Sequence, residues 1–189
     1  MSLVTSNHPK LLLHMCCAGC SPYVIDLLKK DYEVTGLFYN PNIHPENEYQ
    51  LRLNEAKNLA KTYDIELRCE EYDVSEWFGS IKGMENEPEG GRRCEACFRM
   101  RLEKTAQCAR EENFDIIATT LTVSPHKKAE TINRTGCEAV KKYGVHFLES
   151  NFKKKNGFKR TTEMSEILGI YRQNYCGCVY SKKEGRRKP

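Results

Sequence analysis

Apolar residues recur along the chain in short runs separated by polar punctuation. Lys10 to Met15, Glu33 to Tyr39, Ile65 to Cys69, Asp115 to Thr119 and Val145 to Leu148 read as five strands. Between them the spacing of apolar positions becomes helical. Ser21-Pro22 opens a helix, with Ser21 as N-cap and Pro22 in the first turn. Asn40-Pro41-Asn42 ends the second strand. After Pro45, residues Tyr49, Leu53, Ala56, Leu59 and Tyr63 fall on one helical face. Glu76 to Ile81 predicts a short helix. About Glu95 to Glu112 predicts a longer one, with Phe98, Leu102, Thr105, Ala106 and Ala109 on one stripe, and Lys127 to Tyr143 predicts another. Five alternations of strand and helix predict an α/β fold: a parallel sheet of about five strands with helices on both faces and right-handed crossovers. Periodicity weakens after Asn151. Residues 1–189 therefore read as a single α/β domain whose segment 151–189 is a C-terminal extension covering the site.

This topology fixes where chemistry is expected. In open α/β sheets, ligands bind beyond the carboxyl ends of the strands. Cys16-Cys17-Ala-Gly-Cys20 follows the first strand, Tyr39-Asn40-Pro41-Asn42 the second, Asp73 the third and Thr119 to Pro125 the fourth. The helix that opens with Cys94-x-x-Cys97 begins on the same side. Cysteines far apart in sequence should therefore converge.

Composition sharpens the picture. No apolar stretch approaches the roughly eighteen residues that span a bilayer. The first residues also lack the basic-then-apolar pattern of a secretory signal, so a cytoplasmic protein without membrane contact is expected. In a reducing compartment, grouped cysteines bind metal or do redox work. Of the ten cysteines, Cys16, Cys17 and Cys20, Cys94 and Cys97, and Cys176 and Cys178 are grouped; Cys69, Cys108 and Cys137 stand alone and read as packing residues. The net charge of +4 gives no global argument for nucleic acid. Positive charge does gather late in the chain, at Lys153 to Lys155, Lys159-Arg160, Lys182-Lys183 and Arg186 to Lys188, as a phosphate-binding stripe or as a solvated tail.

Cys16, Cys17, Cys94 and Cys97 supply the four thiolates of a [4Fe-4S] cluster, and both pairs precede or open helices, whose dipoles stabilise anions. Cys17-x-x-Cys20 with Cys94-x-x-Cys97 also satisfies a zinc pattern, but leaves Cys16 without a role. A metal-free thiol pair is the third reading. Cys176-Gly-Cys178 closes a small, strained ring if oxidised and reads as a labile redox pair, with spare metal ligands as the alternative. Asp73 is a candidate metal ligand or acid, or a helix N-cap. Tyr39 is a candidate acid, or packing. Neither a dinucleotide fingerprint nor a phosphate-binding P-loop is present.

Together, residues 12–21, Tyr39 to Pro45, Tyr72-Asp73, Gly90 to Phe98, Thr120 to Lys127 and Tyr171 to Cys178 resemble the non-cobalamin epoxyqueuosine reductase family, the QueH type. Ala18-Gly19 departs from the Ala-Pro associated with that loop and leaves the thiols in place. The resemblance implies a Rossmann-like, adenine nucleotide α-hydrolase-like fold. It implies a [4Fe-4S] cluster on Cys16, Cys17, Cys94 and Cys97, and a redox-active pair at Cys176 and Cys178. It also implies the last step of queuosine synthesis, in which a tRNA-borne epoxide takes two electrons and two protons and loses water. A zinc-stabilised tRNA-binding module and a thioredoxin-like reductase are the rival functions. Four cysteine ligands close a cluster. An open position for substrate then requires Asp73 as a replacement ligand, or an additional iron ion on Cys20, Cys176 or Cys178. An electron donor of unspecified identity completes the expected partners.

Overall fold

The computed structural model describes residues 8–183; the expectations that fall on Met1 to Asn7 and on Arg186 to Lys188 lie outside the described residues. Five strands, β1 (Lys10–His14), β2 (Glu33–Phe38), β3 (Leu67–Cys69), β4 (Ile116–Thr119) and β5 (His146–Phe147), form one sheet in the order β3-β2-β1-β4-β5. Every pairing is parallel. The order is that of a doubly wound sheet.

β1 is central, and its leucines alternate between the two cores. Leu11 and Leu13 point to α1 (Pro22–Leu28) and α2 (Glu46–Thr62), where Val24, Ile25, Leu28, Leu53, Ala56 and Leu59 are buried with them. Leu12 points to the other face, onto Ala106, Ala109 and Val140 of α4 (Arg92–Glu111) and α5 (Ala129–Val140). This period of two, with all three leucines fully buried, is what a strand covered on both faces requires. Ion pairs Arg99–Glu138 (2.7 Å) and Arg134–Glu95 (2.9 Å) tie α4 to α5 at their exposed edges.

The expected elements appear with small shifts. α5 starts two residues after Lys127 and stops at Val140, where the chain turns through Gly144 at φ +67°. Ser21 precedes α1, but its hydroxyl donates back to the Cys17 carbonyl (2.8 Å) and does not cap the helix. A short helix α3 (Val74–Ser80) follows β3. Beyond Asn151 lie two helices, α6 (Gly157–Ile167) and α7 (Val179–Lys183). The buried positions of α6 are Gly157, Thr161 and Ser165. A stripe of small and hydroxyl residues spaced by four packs closely but leaves no apolar period, which is why the sequence pattern fades there. Ser165 donates to the Gly19 carbonyl (3.1 Å), so α6 seats directly on the cysteine-bearing turn after β1. Among the described residues no helix is long and apolar enough to cross a membrane.

Candidate metal and redox centre

The strand order reverses between β1 and β4, and the sheet opens a crevice at their carboxyl ends. Cys16 and Cys17 leave β1 there, and Ala18–Cys20 forms a single 3-10 turn. The Cys16 N–H donates across the crevice to Thr120 Oγ1 (3.0 Å), just after β4, and that hydroxyl donates to Cys16 Sγ (3.2 Å). The Sγ atoms of Cys16, Cys17 and Cys20 all lie within 4.8 Å of one another. Hydrogen bonds from the Cys17 and Cys20 thiols, helped by Lys127 and Thr120, hold Cys16 well below the usual thiol pKa. The same sharing pushes Cys17 up to about 12, and Cys20 upward too. One thiolate stabilised by two thiols is a local anion, ready to bind a cation.

The second group is built differently. Cys94 and Cys97 sit in the first turns of α4, and with Cys176 and Cys178 they line one small, nearly dry pocket closed by Trp77 and Phe98. Burial pushes Cys94 up to about 11 despite the Gly90 N–H that donates to its sulfur (3.2 Å), and neighbouring Cys176, Cys97 and Cys178 add to the rise. Burial likewise raises Cys97, opposed by Arg101. Cys178 accepts from the Ser181 N–H (3.3 Å). All ten cysteines are free thiols.

The groups adjoin. Cys16 and Cys94 pack against the same apolar cluster of Phe98, Leu102 and Leu121. Cys176 faces both the small pocket and a cleft of about 720 Å³ into which Cys16, Cys20, Lys127, Arg172 and Gln173 project. Gln173 Nε2 donates to Cys17 Sγ (2.9 Å), so the segment before Cys176 reaches over the triad. Cys94 and Cys97 lie outside the 4.8 Å triad, which is completed by Cys20.

The segment carrying Cys176 and Cys178 is clasped from α2. Arg52, 2% exposed, pairs with Glu48 (2.7 Å) and donates to the carbonyls of Cys176 (3.2 Å) and Tyr175 (3.4 Å). Tyr175 in turn donates to the His44 carbonyl (2.6 Å), and the His44 N–H donates to Gly177 O (2.8 Å). Gly177 lies at φ +124°, and a Cβ there would meet Ile43 Cγ1 at 2.9 Å, so glycine is required on both counts.

Neither Asp73 nor Tyr39 lines the small thiol pocket or the cleft beside it. Asp73 is the N-cap of α3: its Oδ1 accepts from the N–H groups of Ser75 (2.8 Å) and Glu76 (3.1 Å) and from the Ser75 hydroxyl (2.5 Å). These bonds, the Ser75 hydroxyl first, lower its pKa. The buried ring of Tyr39 directs its hydroxyl to Glu76 (2.8 Å), and burial together with that carboxylate raises its pKa. A tyrosine so held is a poor acid, while the capping bonds of Asp73 all fall on Oδ1.

Arg101 and Arg52 contribute to the centre from outside the segments that the sequence marks, whereas Thr120, Lys127 and Gln173 lie within marked segments that give them no individual role. Arg101 follows Cys97 by four residues on one helix, which places both on the same face. Lys127 ends the Thr120–Lys127 run; burial lowers its pKa, but Cys176, Cys16 and Cys20 outweigh that and raise it. Arg52 leaves no trace in the apolar pattern.

The sequence profile of one family, described as Epoxyqueuosine reductase QueH, matches residues 11–184. A Streptococcus pyogenes serotype M1 protein named Epoxyqueuosine reductase QueH is 43% identical over 184 residues, covering 94% of this chain and 72% of that protein. One of the same name from Acinetobacter baylyi is 43% identical, covering 96% and 84%. Another from Thermotoga maritima is 39% identical, covering 94% and 93%. Among solved structures, the U34-tRNA thiolase NcsA from Methanococcus maripaludis with its [4Fe-4S] cluster superposes with TM-score 0.61 at 15% identity, over 93% of this chain and 62% of that one. That likeness places the chain in the same α/β, adenine nucleotide α-hydrolase-like fold.

Proposed function

Because the chain belongs to the epoxyqueuosine reductase QueH family, we propose that it converts epoxyqueuosine to queuosine in the anticodon loop of tRNA. One observation carries this reading: two groups of thiols, distant in sequence, adjoin at the crevice between β1 and β4 and share the wall formed by Cys176.

The donor set fits an iron–sulfur centre. Cys16 and Cys17 on one side and Cys94 and Cys97 on the other are the proposed ligands, and Cys20, within reach of both Cys16 and Cys17, is the proposed anchor of an additional iron ion. Such a centre, when bound, supplies single electrons and Lewis acidity. The protein's own groups do the rest. Thr120 and the Gly90 N–H orient the Cys16 and Cys94 sulfurs. Lys127, half-buried in the cleft, puts positive charge where the epoxide oxygen gains negative charge as it leaves. Loss of that oxygen as water breaks both its carbon–oxygen bonds and consumes two electrons and two protons. Oxidation of the Cys176–Cys178 dithiol to a disulfide releases the same number, and an external donor then restores the thiols. Tyr39 and Asp73 are assigned positioning roles: with Glu76 they join the loop after β2 to the start of α3.

The cleft admits a splayed nucleoside, with Arg172 for its phosphate and Phe158 for its face. We read 151–189 as an extension of one α/β domain that covers this cleft, since Phe158, Thr162 and Glu166 of α6 and Arg172 to Cys176 line it. Ten free thiols suit the reducing cytoplasm as the compartment.

The test is conversion of epoxyqueuosine-containing tRNA by anaerobically prepared, reduced protein loaded with iron and sulfide. Queuosine formed with water as co-product supports the reading. Stoichiometric zinc without iron would sink it in favour of a tRNA-binding module, and activity in a metal-free protein would favour a thiol reductase.

A further inference from the structure

Among the described residues three arginines are buried to 2% exposure or less, Arg52, Arg93 and Arg101. Arg52 has its carboxylate in Glu48, and Arg93 donates to the backbone carbonyls of Glu85 and Glu87. Arg101 is different. Its Nε donates to the Cys97 carbonyl (3.2 Å) and its Nη1 to Asn40 Oδ1 (3.1 Å), while Nη2 is buried with no acceptor among the described residues. No carboxylate pairs with it among the described residues. A guanidinium does not shed its proton, so the charge persists, and a buried charge without a partner is strongly unfavourable.

The groups able to balance it are thiols: Cys97, Cys176, Cys16 and Cys94, drawn from both sides of the centre. The arginine is also held in place. Asn40, which accepts from Nη1, donates through Nδ2 to the Met15 carbonyl (2.9 Å), the residue before Cys16. His14 is buried, with its ring nitrogens engaged by Thr119 Oγ1 (2.9 Å) and the Tyr39 carbonyl (3.3 Å), so it offers Arg101 no partner.

We propose that Arg101 is the counter-cation of the cysteine-held centre, with Nη2 donating to one of its sulfurs, and that it raises the centre's reduction potential. The inference rests on the iron–sulfur reading above. Each electron added makes the centre more negative, and a fixed cation in a dry site stabilises the reduced form more than the oxidised one. Arg101 is thus a positioning and tuning residue that acts through the bound group.

The experiment compares wild-type, Arg101→Met and Arg101→Lys proteins, each prepared with and without iron and sulfide. At the wild-type midpoint potential, Arg101→Met lowers the reduced-to-oxidised ratio at least tenfold, a shift of about 59 mV for a one-electron couple. Arg101→Lys, which keeps the charge, restores most of that ratio. Arg101→Met lowers the melting temperature more in the loaded protein than in the metal-free one, because the loaded centre adds the larger negative charge that Arg101 answers, while the loss of its bonds to Asn40 and the Cys97 carbonyl is common to both forms. An unchanged ratio in Arg101→Met, or the same melting shift in both forms, overturns the proposal and makes Arg101 a purely structural residue. Should Arg101→Met fail to fold, Arg101→Gln is read in its place by the same criteria. A wild-type chain that takes up no iron and sulfide refutes the functional reading itself and this inference with it, an outcome distinct from a loaded protein insensitive to Arg101.

Discussion

Cys16, Cys17 and Cys20 come from one loop whose position is fixed by the paired ends of β1 and β4. Cys94, Cys97, Cys176 and Cys178 come from a helix start and a C-terminal segment far apart in sequence, the latter held to α2 by the Arg52 clasp. The first group carries a stabilised thiolate before any metal arrives, whereas burial keeps Cys94 and Cys97 protonated until a cation displaces their protons. The contrast separates a rigid, pre-charged half-site from one whose assembly depends on contacts between distant parts of the chain. The first is set by sheet register. The second is open to disruption from positions that touch no sulfur.

The largest expected effect falls on the dithiol. Cys176→Ser or Cys178→Ser stops multiple turnover with a thiol reductant while leaving iron content near wild type. Loss of iron in either variant would make these thiols ligands and erase the functional difference between the two pairs of the second group. Arg52→Met comes next. It strands Glu48 and two carbonyls and is expected to cost about 3 kcal/mol in urea unfolding, with turnover falling and the Cys16 thiolate, read by its alkylation rate in the metal-free protein, unchanged. An altered alkylation rate would mean that the clasp also supports the triad. Gly177→Ala forces a Cβ toward Ile43 in a region of backbone space that alanine avoids, for a loss of about 1–3 kcal/mol on the same urea assay. Asp73→Ala is the mildest. The folded-state pKa of Asp73 is depressed, so the stability it adds is present above the ordinary carboxylate pKa and is lost as pH falls through the folded value. The variant should melt slightly earlier at neutral pH and converge with wild type in acid, with unchanged iron content. Lost iron would restore Asp73 as a ligand.

The same contrast explains what the sequence reveals. A parallel sheet covered on both faces follows from alternating strands and helices, because Leu11 to Leu13 and the stripes on α2 and α4 carry an apolar period that burial demands, whereas the strand order comes from the fold. The triad is legible because adjacent cysteines after a first strand have few other uses. The approach of Cys176 to Cys94 and Cys97 is not in the apolar pattern, since it depends on Arg52, Tyr175 and the hydroxyl stripe of α6, polar groups whose partners only the fold supplies. Asp73 and Tyr39 show the reverse: their sequence positions at strand ends place them on the working edge, and only their hydrogen bonds reveal that both are engaged with α3. Arg101 is hidden for a third reason. A charged residue at helical spacing from a cysteine reads as surface until burial shows that no carboxylate answers it.

The central claim is that the two half-sites form one centre, and iron and sulfide content in Cys16→Ala and Cys94→Ala tests it most directly. One shared cluster, with the additional iron ion on Cys20, predicts about five irons and four sulfides per wild-type chain and near-complete loss of sulfide, with the cluster's iron, in either single variant. Full retention of iron in one variant, with loss confined to the other, would contradict it and leave two independent sites.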